Sequence, residues 1–215
     1  MKKKLHLALL AVAMLALPAV AQAQIYAKLN ALYAVVGVIN PQLEFVVGPH
    51  SSVSIDPTFS PHKAIKLGER NDVHALFGIF QTEYRYYIKR EAKGFYVSAN
   101  VGMQAFDMSR PYLFQNKKLV TFEQGFGRGF GLMTGIGIGY SHTFKERWVV
   151  DAFFAFDRMW SWYNDYLANG EINLFPRHQK EPKFPDPFNG SAEWLPSKIG
   201  VSIGYKIFDP NQQKR

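Results

Sequence analysis

In eight runs between Ile25 and Ile207, apolar residues recur at every second position, with polar residues or glycines between them. Because neighbouring side chains of a β-strand point to opposite faces, this period predicts strands with one apolar and one polar face. Turn-forming or charged segments separate the runs, so the sequence predicts an all-β chain of about eight antiparallel strands. The eight runs cover residues 25–35, 42–47, 52–56, 80–86, 95–104, 130–140, 148–157 and 198–207.

The runs also predict which residues face each other across neighbouring strands. In an antiparallel pair the apolar faces must coincide, which restricts the register. No β-bulge is needed to satisfy this condition in the three short hairpins. The expected pairs are Phe45 with Ile55, Tyr86 with Phe95, and Tyr140 with Ala152, the last of which sets Gly139 opposite Phe153.

The connections between the runs alternate in length. Residues 48–51, 88–94 and 144–147 form short turns, whereas long loops are expected near 57–72, 107–125 and 161–195. Short turns at one end and long loops at the other are typical of outer-membrane β-barrels. The short first connection, residues 37–41, departs from this pattern. We therefore expect a single up-and-down antiparallel transmembrane β-barrel.

The distribution of side chains between the two faces indicates which face points outward. A soluble, ligand-carrying barrel would alternate equally well, with its apolar side inward. Here the polar face carries many ionisable groups and a row of glycines, which suits the narrow, filled interior of eight strands. Trp148, Trp160 and Trp162 mark the ends of one run, as interfacial aromatic residues do. These features favour an apolar face directed at lipid.

Charged residues on the polar face predict an ionic network inside the barrel. Buried charges require partners, so we expect ion pairs between the last two strands, Asp151 with Lys206 and Asp157 with Lys198. The expected role of the network is to fill the interior, and a proton or ion path is the alternative. The candidate residues are Lys28, Glu44, Glu83, Arg85, Asp151, Asp157, Lys198 and Lys206.

The N-terminus predicts export. Lys2, Lys3 and Lys4 precede an apolar stretch, and Ala21-Gln22-Ala23 provides a small-x-small cleavage pattern. We expect residues 1–23 to be a cleaved signal peptide, 24–208 the barrel and 209–215 a polar tail. The chain has no cysteine, so disulfides cannot stabilise it. Its formal charge of +8 falls by three with the leader, and this mild excess predicts no nucleic-acid partner.

No motif predicts a catalytic, cofactor or metal site. Ser141, His142 and Glu146 are similar to the set used by outer-membrane lipid deacylases, but adjacent strand residues point to opposite faces. His50, His62, His74 and His178 are dispersed without ligand spacing. We therefore expect a non-enzymatic protein without a cofactor.

The last long loop contains the most promising surface residues. Loops on a rigid scaffold are frequent binding sites, and aromatic residues beside cations suit glycans or lipid phosphates. Packing of the aromatic side chains onto the barrel rim is the structural alternative. The candidate contacts are Trp162, Tyr163, Tyr166, Arg177, Lys180, Lys183 and Trp194.

The C-terminal run is similar to the insertion signal of bacterial outer-membrane barrels, with Lys198, Gly200, Ile203 and Tyr205 at its fixed positions and Phe208 as the expected end of the barrel. The chain also resembles a family of small outer-membrane proteins known mainly from Bacteroidota, filed as domain of unknown function 3575. The segments that carry this resemblance are 28–33, 40–44, 52–55, 84–87, 94–96 and 135–140. The resemblance implies a bacterial outer-membrane location and assigns no activity.

Three kinds of function remain open. The first is a non-enzymatic outer-membrane barrel that contributes to envelope structure or binds a surface glycan or protein through its loops. Its expected partners are outer-membrane lipid, lipopolysaccharide and, during biogenesis, the barrel-assembly machinery. The alternatives are a lipid-modifying enzyme of the outer membrane and a narrow transport pore.

Overall fold

The computed structural model is a closed ring of eight antiparallel strands, as the alternation predicts. It describes residues 23–67, 70–90, 92–109, 111–113, 120–122, 125–171 and 193–210. The predicted signal peptide and polar tail therefore lie almost entirely outside the described residues. No helix among the described residues is long and apolar enough to cross a membrane.

Ten strands and one short helix make up the described chain. The ring follows the order β1-β10-β9-β8-β5-β4-β3-β2, and β6 pairs with β7 in a separate small hairpin. The elements are β1 (Gln24–Asn30), α1 (Ala31–Val35), β2 (Pro41–Val46), β3 (Ser51–Leu67), β4 (Arg70–Lys89), β5 (Lys93–Met108), β6 (Pro111–Leu113), β7 (Val120–Phe122), β8 (Phe126–Phe144), β9 (Trp148–Tyr166) and β10 (Glu193–Phe208).

One of the three predicted registers is correct. Tyr140 pairs with Ala152, and Gly139 lies opposite Phe153. The other two predictions are wrong by one two-residue step, because Phe45 pairs with Val53 and Tyr86 with Val97. A two-residue step keeps every side chain on its face, so the alternation alone could not detect the error. The turns set the observed registers. Val47 already hydrogen-bonds to Ser51 in the first turn, and the β4–β5 ladder has an irregularity between Tyr87 and Lys89 beside the second.

The predicted loop at 57–72 is wrong, because β3 and β4 continue through most of it as a long hairpin. Pro57 and Pro61 argue against a central strand. Both are tolerated because β2 starts only at Pro41, so most of this part of β3 has no β2 residue beside it. The other long connections are shorter than expected: β9 continues to Tyr166, and the 107–125 segment contains the β6–β7 hairpin.

The first strand also ends earlier than its run of apolar residues. Asn30 closes β1, and its side-chain oxygen accepts hydrogen bonds from the backbone of Leu32 at 3.1 Å and of Tyr33 at 3.4 Å. This is the N-cap of a helix, and it turns the chain into α1. Gly37, with φ of +72°, follows the helix and returns the chain towards β2.

The two faces of the barrel have the inside-out distribution that the sequence predicts. Arg85 and Asp151 are fully buried inside the ring, whereas Phe95 is 64% exposed and Ile136 is 68% exposed on its outside. The closed ring leaves no long free strand edge on its turn side, where β1 and β2 pair with both neighbours. The turn-side half of the barrel therefore has a polar interior, and the barrel has an apolar outer wall.

Candidate functional site

Arg85 lies at the centre of an ionic network in the turn-side half of the interior. Its guanidinium contacts Asp151 at 2.6 Å, Glu83 at 3.0 Å and Glu44 at 3.4 Å. These carboxylates come from three strands, β9, β4 and β2, which alternate polar residues inward at this level. One planar cation with several donors can bridge them, which a lysine could not do with the same geometry.

Two lysines extend the network along the barrel axis. Lys28 of β1 contacts Asp151 at 2.8 Å and also pairs with Glu44. On the loop side, Lys198 of β10 contacts Asp56 at 2.6 Å and Glu83 at 2.7 Å. We refer to the seven residues Lys28, Glu44, Asp56, Glu83, Arg85, Asp151 and Lys198 as the lumen cluster.

The lumen cluster is sealed and nearly balanced in charge. Each member is at most 4% exposed, and three cations face four carboxylates. Hydroxyl groups satisfy further carboxylate oxygens: Tyr87 donates to Glu44 at 2.6 Å and Tyr96 to Asp151 at 2.9 Å. Desolvated charges persist only when they are paired and hydrogen-bonded. The contacts of the cluster therefore hold together the strands that supply its members.

An aromatic layer closes the interior below the cluster. Tyr87 and Tyr96 are almost fully buried with ring centroids 4.9 Å apart, and they pack with Ala92 and Phe153. Tyr96 fits only because Gly139 lies against its ring. A Cβ atom at Gly139 would lie 2.3 Å from Cζ of Tyr96. The glycine row of β8 therefore makes space for inward side chains of the neighbouring strands.

We expect Gly139→Val to lower the free energy of unfolding by about 1–3 kcal/mol through overpacking. Gly78→Val is the matched control, because a Cβ atom at Gly78 meets nothing within 4 Å. Urea titration of the barrel in lipid vesicles measures both variants. Adding Tyr96→Leu to Gly139→Val should make the double variant more stable than the sum of the single effects allows. Equal losses for Gly139→Val and Gly78→Val would contradict this assignment.

The predicted ion pairs between the last two strands do not form. In the β9–β10 register Asp151 lies beside Ser202, and Lys198 beside Ala155. Lys206 instead contacts Asp209 at 3.0 Å, near the chain end. Asp157 is buried above the lumen cluster and accepts a hydrogen bond from Gln81 at 2.8 Å. Six of the eight predicted lumen residues thus meet in one network, and Asp157 and Lys206 lie outside it.

Sequence reasoning left Asp56, Tyr87 and Tyr96 out of the network. Asp56 occupies a polar position of its strand and was available from the alternation. Tyr96 was available in the same way, because it stands between the outward-facing Phe95 and Val97. Tyr87 was not, because it follows the outward-facing Tyr86 and carries no polar signal of its own.

The remaining candidate residues are separated. Ser141 is buried inside the barrel, and the neighbouring His142 and Glu146 are exposed. His50 and His62 each bond to a backbone carbonyl, of Tyr87 and Val36 respectively. No group of three or more metal-ligating side chains occurs among the described residues. His178 lies outside them.

The predicted loop contacts are strand residues where the structure describes them. Trp162 stacks on Phe130 with ring centroids 5.3 Å apart, and Trp194 stacks on Phe156 at 5.9 Å, both on the outer wall. Tyr163, in the same strand as Trp162, packs near Phe106. Arg177, Lys180 and Lys183 lie outside the described residues. Trp162 and Trp194 therefore pack on the outer wall, whereas Tyr163 faces the interior of the barrel.

A polar cluster on the loop-side rim was not anticipated from the sequence. Asp107 accepts hydrogen bonds from Arg128 at 2.7 and 3.0 Å, and His74 contacts it at 2.7 Å. The ring of His74 stacks on Phe126 at 4.1 Å, and Phe126 stacks on Tyr166 at 5.1 Å. The side chain of Arg128 is 52% exposed, so its guanidinium reaches the surface of the rim. We refer to these five residues as the rim cluster.

Comparison with known proteins gives one family. The model of the family described as "Protein of unknown function (DUF3575)" matches residues 7–207 of this chain. No curated protein and no solved structure matches it.

Proposed function

We propose that this chain, which belongs to the DUF3575 family of proteins of unknown function, is a non-enzymatic β-barrel of a bacterial outer membrane. In this proposal the barrel anchors the protein, and the loop-side rim presents a binding surface or contributes to envelope structure. The partners are outer-membrane lipid and lipopolysaccharide around the wall, and the barrel-assembly machinery during biogenesis.

The inside-out distribution of side chains carries this proposal. Large apolar side chains are exposed on strands all round the wall, for example Val101 at 60%, Ile199 at 55% and Leu43 at 42%. A soluble monomer rarely exposes a contiguous apolar area of more than a few hundred Å². A hydrocarbon environment removes the cost of this exposure, and it also requires the closed hydrogen-bonded ring that the chain forms.

The height of the wall supports the same environment. The segment of β9 from Trp148 to Trp160 has a length of about 40 Å at roughly 3.3 Å per residue. At a strand tilt near 40° it rises about 30 Å, which matches the thickness of a hydrocarbon core. Both ends of the segment carry tryptophan, as interfacial girdles do.

The lumen cluster favours an anchor over the alternatives. Arg85, Tyr87 and Tyr96 fill the cross-section of the interior and are at most 2% exposed, which leaves little space for a conducting path. An enzyme would require a nucleophile within hydrogen-bonding reach of a general base, and Ser141 and His142 face opposite sides of the wall. The rim cluster and the loops are then the parts available to a partner.

The test is the folding of residues 24–215 with and without a bilayer. Unfolded chain diluted from urea into lipid vesicles should gain β circular dichroism, heat-modifiable gel migration and protection of the wall from protease. The same dilution into plain buffer should give aggregates, since the apolar wall has no cover. A monomeric, folded chain in buffer that contains neither detergent nor lipid would overturn the proposal.

A further inference from the structure

The barrel wall has a gap on its loop side, above α1. β1 ends at Asn30 and β2 begins at Pro41, whereas their neighbours β10 and β3 continue well past that level. Pairing between β10 and β1 stops at Ser202 with Asn30. On the other border, the single bridge of Ile39 with Phe59 extends the β2–β3 ladder. Above these pairs, no described strand lies between β3 and β10.

The helix α1 forms the lower edge of this gap. It is fixed to both borders: the amide of Asn30 donates to the carbonyl of Ile199 at 3.4 Å, and His62 donates to the carbonyl of Val36 at 2.9 Å. The outer side of the helix and of the residues that follow it is apolar and exposed, with Val35 at 85% in α1 and Ile39 at 56% after it. The edge therefore continues the apolar outer wall into the gap.

Proline residues on both bordering strands lie at positions where another strand would pair across the gap, so the sequence itself disfavours closing it. The N–H of Phe59 points across the border, because it bonds to the carbonyl of Ile39 at 2.8 Å. Pro57 and Pro61 stand two residues to either side, where an N–H would point the same way. Pro196 pairs with Phe156 of β9 but lies beyond the part of β10 that pairs with β1. Proline on a free edge removes donors that would recruit another strand.

The interior beside the gap differs from the sealed interior below it. Interior-facing positions of β4, β5, β8 and β9 above Gln81 and Asp157 are mostly apolar, and the described ones hold no lysine or arginine. Most of them are half-buried rather than sealed, which indicates accessible space among them. The half-buried apolar ones are Ala75, Phe77, Ile79, Phe106, Met108, Met159 and Tyr163, whereas Met133 is buried and Gln104 and Ser161 are polar.

We propose that the hydrocarbon chain of a membrane lipid enters the loop-side interior sideways, over α1. This inference rests on the proposed membrane location. Aliphatic and methionine side chains suit a flexible alkyl chain, and the absence of cations from these interior positions disfavours a phosphate or carboxylate ligand. The lumen cluster forms the floor at which the chain stops. The apolar edge at Val35 and Ile39 gives a lipid a continuous apolar path from the outer wall.

Bromine on lipid acyl chains quenches tryptophan fluorescence on contact, which makes the position of a lipid measurable. The four native tryptophans, Trp148, Trp160, Trp162 and Trp194, are changed to phenylalanine, and folding is verified by heat-modifiable migration. Single tryptophans are then introduced in matched inward and outward pairs near the gap and at the floor. The variants are Met159→Trp and Leu132→Trp near the gap, and Phe153→Trp and Ile138→Trp at the floor, with Tyr87→Trp as a second floor variant.

We expect Met159→Trp to lose fluorescence in brominated vesicles to an extent comparable with the outward Leu132→Trp. Phe153→Trp, or Tyr87→Trp, should lose almost none, because these positions are sealed. If Met159→Trp behaves like the floor variants, no lipid chain enters and the inference is overturned, whether the space holds part of this chain or nothing. If Leu132→Trp and Ile138→Trp also keep their fluorescence, the membrane location itself is wrong.

The route over α1 has its own matched comparison. Ile39→Asp places a charge on the lower edge of the gap, and Met103→Asp places one on the outer wall at a position of similar exposure, 56% against 58%. Quenching of the tryptophan in Met159→Trp should decrease when Ile39→Asp is added and stay unchanged when Met103→Asp is added. Unchanged quenching in both variants, or an equal decrease in both, would overturn entry over α1.

Discussion

Replacing Arg85 with methionine is expected to lower the free energy of unfolding by about 3–5 kcal/mol, the range for removing one partner of a buried ionic network. The variant leaves Glu44, Glu83 and Asp151 desolvated around an apolar side chain. Lys28 and Lys198 are too few to compensate the four carboxylates of the lumen cluster. Urea titration in lipid vesicles, followed by tryptophan fluorescence, measures the loss.

The control for Arg85→Met is Tyr86→Met on the same strand. Tyr86 is 51% exposed on the outer wall, so this variant changes a large side chain without touching the lumen cluster. We expect its effect to be small beside that of Arg85→Met. Adding Asp151→Asn to Arg85→Met should restore part of the stability, because the excess of carboxylates over the two lysines falls from two to one. A decrease in the free energy of unfolding no greater than that of Tyr86→Met would show that the cluster does not hold the strands together.

The sequence predicts which residues occupy the interior, because the odd or even position of a residue in its run alone determines whether it faces inward or outward. Lys28, Glu83 and Asp151 stand at polar positions of alternating runs, and a two-residue error in register leaves all of them inside. The same reasoning explains why the inside-out wall could be predicted from positions such as Ile136. Membership of the lumen cluster is thus a local property of each strand.

Which members of the lumen cluster contact each other depends on how the ring closes, so these contacts could not be predicted from the sequence. Lys198 of β10 contacts Glu83 of β4, although these strands are not neighbours in the barrel. Contacts across the interior follow from the stagger of the strands around the whole ring, which no single hairpin reveals. The expected pairs with Asp157 and Lys206 failed for a simpler reason, because the β9–β10 register sets Asp151 beside Ser202 and Lys198 beside Ala155.

The gap above α1 could not be predicted, because each residue that marks it is also compatible with another local structure. Asn30 reads as one more polar position of a strand until its side chain is seen to cap α1. Pro57 and Pro61 indicate a loop when β3 is assumed to be central, and an unpaired edge once β2 is known to start at Pro41. Tertiary context therefore changes the meaning of these residues, whereas the period of two is unaffected by it.

Substituting arginine for Ile138 is expected to lower the free energy of unfolding in lipid vesicles by about 2–4 kcal/mol, the cost of arginine on the lipid face at the bilayer midplane. Ile138 is 62% exposed on the outer wall and faces away from the lumen cluster. On a soluble barrel the same substitution would place a charge in water and have little effect on stability. The result thus depends on the medium that surrounds the wall.

Ile207→Arg is the matched control for Ile138→Arg. Ile207 is similarly exposed, at 57%, but it lies next to the end of β10, where an arginine side chain reaches the interface. Its expected cost is about 0–1 kcal/mol, because the penalty falls with distance from the midplane. A large difference between the two variants would reflect a gradient of polarity along the wall. Equal costs would mean that the wall meets one uniform solvent, and the exposed apolar band would then need a protein partner instead of lipid.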